Sequence, residues 1–168
     1  NDGTKMYVIG VSGDDVNEYS LSTAFDVSTA SYVQRFVVSG QETAPTGLTF
    51  NNDGTKMYVI GNTGDDVNEY SLSTAFDIST ASYVQLFSVA AQETTPSGMA
   101  FNNDGTKMFI IGYIGDDVNE YSLSTAFDVS SASFAGNSER VSVAAQENYP
   151  NGLGFNNDGT KMFVVGQA

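Results

Sequence analysis

The strongest constraint on this chain is an internal repeat. The string Asn-Asp-Gly-Thr-Lys-Met begins at residues 1, 52, 103 and 157, so successive copies lie 51, 51 and 54 residues apart. The first two units, residues 1–51 and 52–102, agree at 40 of 51 positions without gaps, and the third carries three extra residues within 135–140. A fixed period of this length is typical of an array of similar structural units that are stabilised by packing on one another.

Each unit contains four short apolar segments separated by turn sequences, which predicts four β-strands. At the end of the first unit and through the second, these segments are residues 47–50, 56–61, 67–72 and 83–89. Asp53-Gly54 before the second segment is a strong hairpin signal. Residues 73–82 form a longer connection with room for one helical turn capped by Ser or Thr. Four antiparallel strands per unit predict an all-β fold, namely a β-propeller with four-stranded blades of about 51 residues.

The repeat count predicts that one chain does not complete the propeller. We predict one array over 1–168, with a partial blade 1 at 1–44, blade 2 at 45–95, blade 3 at 96–149 and a partial blade 4 at 150–168, about 3.3 repeats in all. Known propellers have roughly four to eight blades. Either the chain is a processed product or a fragment of a longer array, which its start at Asn1 also favours, or chains self-associate to complete the ring. In the second case residues 152–155 of one chain supply the first strand that blade 1 of another lacks, and residues 162–165 compete with residues 6–9 for one position.

Two segments of the unit carry a resemblance to known repeats. Phe-Asn-Asn-Asp-Gly-Thr-Lys-Met-Tyr-Val-Ile-Gly at 50–61 resembles the YVTN-type β-propeller repeat, in which a Pro-Asp-Gly turn leads into a Tyr-Val strand. The segment at 69–83 resembles repeats of surface proteins of marine bacteria and their phages. The resemblance covers the whole chain, although Asn replaces the turn Pro of the family and the blades are too few. It implies a propeller but no particular activity, because this fold carries lyases, hydrolases, lectins and inert scaffolds.

Composition excludes several classes of function. With 20 acidic and 6 basic side chains the net charge is −14, which excludes a nucleic-acid partner and argues against docking on anionic lipid. The absence of Cys and His removes thiol nucleophiles, disulfides and the commonest general base. No apolar run approaches the ~20 residues of a membrane span. The many Asp and few Lys residues favour a saline environment, and the resemblance to surface-protein repeats implies an extracellular or virion-surface location.

Acidic side chains recur at two loop positions of every unit. Both connections lie at the same end of an antiparallel blade, so we predict an acidic rim near the mouth of the channel. Clustered oxygen ligands suit Ca²⁺, the one cofactor that the sequence suggests, and the alternative is a solvated acidic loop that binds no ion. The candidate metal ligands are Asp14, Asp15, Glu42, Asp65, Asp66, Glu93, Asp116, Asp117 and Glu147. The repeated lysines (Lys5, Lys56, Lys107 and Lys161) follow the Asp-Gly turn at the opposite end, where we expect each to pair with a turn Asp.

Two tyrosines depart from the repeat. Most Tyr residues recur within strands and are predicted to pack between blades, whereas Tyr113 and Tyr149 fall in loops of the third unit and have no equivalents earlier in the chain. Both are predicted to lie on the acidic face. With Asn148 and Asn151 they are the candidate residues for contact with a sugar or peptide, since aromatic rings stack on such ligands and amides hydrogen-bond them.

These observations predict a non-catalytic β-propeller scaffold or binding module of a larger extracellular or virion-surface assembly. The competing hypothesis is a lectin-like or calcium-dependent module that binds a glycan or protein through its acidic face. A glycan-active enzyme is the third hypothesis. Paired carboxylates serve glycoside hydrolysis only when their environments differ, and most acids here recur in equivalent positions, apart from Glu139 beside Arg140. Without His, the usual Ser triad is excluded.

Overall fold

The computed structural model describes residues 2–167 and shows four antiparallel sheets in chain order. The first contains β1 (Lys5–Gly10), β2 (Asp15–Leu21) and β3 (Ala30–Val37), and the second contains β4 (Pro45–Phe50), β5 (Lys56–Gly61), β6 (Asp66–Leu72) and β7 (Ala81–Ser88). The third contains β8 (Pro96–Phe101), β9 (Lys107–Gly112) and β10 (Asp117–Leu123), with β11 (Ala132–Phe134) and β12 (Arg140–Ser142) both paired to β10. The fourth contains β13 (Pro150–Phe155) and β14 (Met162–Gly166).

The sheets are the blades of an incomplete β-propeller, which confirms the predicted fold class. The first strands of successive blades, β4, β8 and β13, lie side by side. The Ser97 hydroxyl on β8 donates to the Pro150 carbonyl oxygen on β13 over 2.5 Å. A Cβ atom on Gly98 would lie 3.0 Å from the Gly152 Cα atom, so these inner strands approach more closely than a side chain allows. The blade boundaries that we predict fall just before β4, β8 and β13.

The hydrophobic core lies between blades, because each blade presents one apolar face to the next. The largest buried cluster joins Tyr58 and Ile60 of blade 2 to Met108 and Tyr121 of blade 3. An equivalent cluster joins blades 1 and 2, and a smaller one joins blades 3 and 4. Several repeated tyrosines pack between blades as expected, although Tyr83 on the outer strand of blade 2 is exposed.

The connection between the third and fourth strands contains a short 3-10 turn, at Val27–Thr29, Ile78–Thr80 and Val129–Ser131. Its cap is an aspartate and not the expected Ser or Thr: the Asp77 carboxylate accepts from the Ser79 backbone N–H over 3.0 Å and from the Ser79 hydroxyl over 2.7 Å. Before this turn Phe76 has a φ of 59°, rare for an aromatic residue. Its ring lies over Gly54, where a Cβ atom would come within 2.2 Å of it, so the hairpin glycine leaves the space that the ring fills.

A polar contact that we call the interblade clamp joins blade 2 to blade 3. Lys56 Nζ lies 2.7 Å from Glu69 Oε1 and donates to the Phe127 carbonyl oxygen of blade 3 over 2.8 Å. The Tyr58 hydroxyl donates to the same carbonyl over 2.7 Å, and burial raises the pKa of Tyr58, which keeps this donor protonated. Glu69 also accepts from the Val129 backbone N–H over 3.1 Å. The expectation that Lys pairs with a turn Asp is therefore wrong.

The same clamp joins blade 1 to blade 2. Lys5 Nζ lies 2.7 Å from Glu18 Oε1 and donates to the Phe76 carbonyl oxygen over 2.8 Å, and the Tyr7 hydroxyl reaches the same oxygen over 2.5 Å. Gln34 bridges Glu18 and Asp77 over 2.9 and 2.8 Å. The clamp residues therefore come from one repeat and the carbonyl that they bind comes from the next.

The extra residues of the third unit interrupt the outer strand of blade 3. They separate β11 from β12 and contain a 3-10 turn at Asn137–Glu139. Glu139 is exposed, and Arg140 turns away from it to bind the Asp117 carboxylate, its Nε lying 2.5 Å from Asp117 Oδ2. Within residues 2–167, no helix is long and apolar enough to cross a membrane.

Candidate functional site

The candidate residues lie on one face of the blades, which we call the loop face. It consists of the turns at 11–14, 62–65 and 113–116 and the connections at 38–44, 89–95 and 143–149. The connections lead into β4, β8 and β13, so this face surrounds one end of the inner strands. Side chains there are positioned near the axis that the blades share.

The repeated glutamates of the connections are internal to the loops. Glu42 is fully buried, and its Oε1 accepts from the backbone N–H groups of Ala44 over 2.6 Å and Thr63 over 3.1 Å. Glu93 repeats this geometry in blade 3, where it joins the connection to the turn at 113–116. These carboxylates satisfy backbone donors and tie each connection to a neighbouring turn. They do not form the open acidic rim that we expected.

The paired aspartates have two different roles. The first of each pair (Asp14, Asp65 and Asp116) has a φ of 47–49° and forms the turn. The second begins the third strand of its blade and is buried. Asp15 lies 3.3 Å from Arg35 Nη1, and Asp117 binds Arg140.

Asp66 differs from its two equivalents because blade 2 has Leu86 where the other blades have Arg. Its one hydrogen-bond partner among the described side chains is Asn68, whose Nδ2 donates over 2.6 Å. Burial raises the pKa of Asp66, and the nearby Glu42 and Asp65 carboxylates raise it further. The expectation that equivalent acids share equivalent environments is therefore wrong at this position.

No group of three or more acidic side chains is arranged to hold a metal ion within residues 2–167. Glu147, the equivalent glutamate of the third unit, is partly buried and accepts from the Tyr149 backbone N–H over 2.9 Å. Calcium binding by the candidate metal ligands therefore stays a prediction.

The structure brings three of the four candidate ligand-binding residues together. The Tyr113 hydroxyl donates to Asn151 Oδ1, and the Tyr113 and Tyr149 rings lie edge to face, with centroids 6.4 Å apart. Tyr113 comes from the turn after β9, whereas Tyr149 and Asn151 flank the start of β13, so the cluster bridges blades 3 and 4. Asn148 is exposed beside Tyr149 in the chain. We call Tyr113, Tyr149 and Asn151 the tyrosine cluster.

The tyrosine cluster has no counterpart between the earlier blades. The position of Tyr113 holds Val11 and Asn62 there, and the position of Tyr149 holds Ala44 and Thr95, none of them aromatic. Asn151 replaces a hydroxyl residue that bonds the next inner strand. The Asn151 amide nitrogen has no protein acceptor within the described part of the chain.

A carboxylate that our sequence reasoning considered only as a metal ligand lies in the same turn. Asp116 is partly buried, and its Oδ1 is shielded from solvent without a hydrogen-bond donor among the described residues. An unpartnered acceptor of this kind is uncommon in folded proteins.

Comparison with known proteins supports the fold. A protein from Lactobacillus plantarum is 15% identical with a TM-score of 0.67, and 97% of this chain covers 45% of it. A Bacteroides uniformis protein named as a 6-phosphogluconolactonase is 13% identical with a TM-score of 0.66, and 97% of this chain covers 44% of it. The periplasmic gluconolactonase of Pseudomonas aeruginosa is 18% identical with a TM-score of 0.56, the alignment covering 84% of this chain and 38% of that one. This chain thus spans less than half the length of these three proteins. No family model and no curated protein matches the sequence.

These comparisons correct the predicted function. Two of the three proteins are named as lactonases, and this contradicts the prediction of a non-catalytic scaffold. At such low identity the likeness itself establishes the architecture. The YVTN-type resemblance has no support from a family model.

Proposed function

We propose that this chain carries the substrate-binding face of a propeller enzyme that hydrolyses a sugar lactone. The observation that carries the proposal is the tyrosine cluster, which interrupts the repeat on the loop face beside the inner strands. The names of the two lactonase-like structures support the choice of substrate class.

The tyrosine cluster offers the two kinds of contact that a sugar lactone needs. The Tyr149 ring is 55% exposed and packs against Tyr113 at its edge, so one face is available for the C–H groups of a sugar ring. The Asn151 side-chain oxygen is occupied by Tyr113, which fixes the amide orientation and directs its N–H₂ group away from that bond. An N–H of Asn151 donates to the lactone carbonyl oxygen and stabilises the negative charge that develops there during attack.

Asp116 is the carboxylate that we assign as general base. In the proposed reaction, its carboxylate takes a proton from water as the water oxygen attacks the lactone carbonyl carbon. The ring C–O bond then breaks, and the protonated Asp116 returns its proton to the departing oxygen, which gives the open hydroxy acid. Because Asp116 Oδ1 is shielded from solvent, the second carboxylate oxygen, Oδ2, is the acceptor for the water proton.

The charge of the chain favours a neutral substrate. A formal charge of −14 repels a phosphorylated lactone, and both arginines of the sequence, Arg35 and Arg140, are bound to aspartates. We therefore expect turnover of glucono-1,5-lactone and much weaker turnover of its 6-phosphate.

The test is the rate of lactone hydrolysis, measured as release of acid, with and without Ca²⁺, for the native chain and three variants. Tyr149→Ala should raise KM at least tenfold because it removes the stacking surface. Asp116→Asn should lower kcat about 100-fold with little change in KM. Asp65→Asn is the matched control, since Asp65 occupies the same turn position with the same φ and an unpartnered Oδ1, but its turn has Asn62 in place of Tyr113. Equal losses in Asp65→Asn and Asp116→Asn, or no hydrolysis by the native chain, would reject the proposal.

We also propose that the protein acts outside the cytoplasm, at an extracellular or virion surface. The acidic composition and the resemblance to YVTN-type and marine surface repeats support this location, and one of the similar structures is periplasmic. Labelling of intact and lysed source cells or virions with an antibody to this chain tests it, since signal only after lysis would contradict it.

A further inference from the structure

The two ends of the blade array expose surfaces that are buried everywhere else in the chain. We call them the leading end, formed by β1 and the loop at 25–28, and the trailing end, formed by β13, β14 and the outward face of β9 and β10. The repeat supplies internal references, because each residue at an end has equivalents between blades 1, 2 and 3.

The leading end lacks the inner strand and the preceding blade that its equivalents have. Val8 on β1 is 48% exposed, whereas Val59 on β5, which pairs with Leu48 of an inner strand, is fully buried. A groove of about 910 Å³ lies between β1 and β4. Val27 is 70% exposed, whereas its equivalents Ile78 and Val129 are fully buried.

The trailing end lacks the contacts that a complete following blade supplies elsewhere in the chain. The Phe50 ring packs between Tyr7 of the preceding blade and Phe76 of its own blade. The Phe101 ring packs in the same way between Tyr58 and Phe127. Phe155 contacts only Phe109 among the described rings. A groove of about 500 Å³ beside it is lined by Lys107 and Glu120, the clamp pair of blade 3.

Loop 25–28 of the leading end has the shape that this groove would receive. Its Phe25 has a φ of 62°, matching 59° at Phe76 and 58° at Phe127, so the loop is already in its bound conformation. The Phe25 ring is 75% exposed. In a second copy it would cover Phe155, and its carbonyl oxygen would accept from Lys107 as Phe76 and Phe127 accept from Lys5 and Lys56.

In a blade formed where two copies meet, β1 of one copy and β14 of the other would compete for one position. Both are second strands of a blade, with closely similar sequences. β1 pairs with β2 and is fixed to blade 2 through Lys5 and Tyr7. β14 pairs with β13 alone, and Phe163 and Val165 on it are 59% and 66% exposed. β13 can therefore exchange β14 for the β1 of another copy in the same register, with little apolar burial lost.

We infer that two copies join head to tail and close a two-fold ring of six blades. Each junction blade contains β13 of one copy and β1, β2 and β3 of the other, so the inner-strand column of Gly47, Gly98 and Gly152 continues from copy to copy. The length comparison agrees, since one chain covers 45% of a similar propeller and two would cover about 90%. The junction is weaker than an internal one, because Phe109 lacks the hydroxyl that Tyr7 and Tyr58 provide.

Light scattering of the full chain tests this inference. We expect a mass twice 17.8 kDa, about 36 kDa, at micromolar concentration. A mass of 17.8 kDa at all concentrations would overturn the inference, and so would a ladder of larger masses, which would mean that head-to-tail contacts do not close.

A matched pair of variants tests the surface. Val27→Asp should weaken dimerisation at least about 100-fold, because the residue enters an apolar site. Val33→Asp is the control, since Val33 and its equivalent Val84 are both 47% exposed and a neighbouring blade covers neither. Equal dimerisation of the two variants, each with native circular dichroism, would refute the proposed contact.

Engineered thiols test the strand exchange, because the chain has no Cys of its own. Val8→Cys combined with Leu153→Cys should give a disulfide between copies, since Val8 would take the position opposite Leu153 that Val164 occupies within one chain. Val33→Cys with Leu153→Cys should give none. Equal cross-linking in both double variants, or none in either, would overturn the exchange.

Discussion

The substitution Leu86→Arg should stabilise this protein by restoring a charge pair that blade 2 lacks. Leu86 lies opposite Asn68 on the outer strand, the register position that Arg35 and Arg140 occupy opposite Asn17 and Asn119. Its side chain is 48% exposed, so removing it sacrifices little apolar burial. The arginine would reach Asp66, a buried carboxylate that has anionic neighbours and no cationic partner within residues 2–167.

The size of the expected gain in stability follows from the Arg–Asp pairs that blades 1 and 3 already contain. Arg35 is largely exposed while Asp15 is buried, so solvent screens the pair only in part. We expect a gain of about 1 kcal/mol at pH 7, and a rise in Tm of about 2–4 °C for a domain of this size.

The pH dependence has a definite sign. The folded-state pKa of Asp66 is raised, so the folded chain holds this proton more tightly than the unfolded chain, and stability falls as pH rises from about 3.8 through the folded pKa. An arginine lowers that pKa. The advantage of Leu86→Arg should therefore grow as pH rises through this range and vanish in acid.

Urea unfolding at several pH values measures this effect, with Leu86→Gln as the control that removes the same apolar group without adding charge. The free energy of unfolding of Leu86→Arg should exceed that of Leu86→Gln at pH 7 and converge with it near pH 3. Equal stability at pH 7, or an advantage that increases on acidification, would refute the reasoning.

Three further perturbations test other parts of the fold by urea unfolding. Glu93→Ala should cost about 2–4 kcal/mol, because it removes the buried acceptor of the Thr95 and Ile114 backbone N–H groups; a loss no larger than that of the exposed Asp53→Ala would contradict this. Gly98→Ala should cost about 1–3 kcal/mol, since the new Cβ meets the neighbouring inner strand, whereas Gly154→Ala, with open space around it, should be neutral. Added NaCl should raise the urea midpoint by screening a net charge of −14, and a midpoint that does not rise would count against self-repulsion.

The repeat predicted the architecture because four alternating strands and an Asp-Gly turn recur with almost no change. Pattern and turn chemistry are local, and both act within one unit. The clamp was missed because Lys56 and Glu69 are thirteen residues apart in sequence and meet only through the register of β5 and β6. A sequence signal for the clamp was present, since Lys56 and Tyr58 are two residues apart on one strand and therefore lie on the same face.

The burial of the Glu42 and Glu93 side chains inside their loops could not be predicted in the same way. An acidic residue in a polar loop is usually solvated, and only the three-dimensional path of the loop shows that backbone N–H groups surround it. The tyrosine cluster was accessible to sequence reasoning, because Tyr113, Tyr149 and Asn151 break an otherwise regular pattern. The special position of Asp66 was also visible, as a Leu between two arginines at one repeat position.

The interblade clamp has a consequence for how such a protein can evolve. Its lysine, tyrosine and glutamate come from one unit, and the backbone carbonyl and N–H groups that they bind come from the next, so duplication of a single gene segment copies both partners of the contact at once. An inserted unit therefore meets matching neighbours on both sides without any compensating change. Unequal recombination between nearly identical segments can lengthen or shorten the array, and each product inherits a complete set of joints.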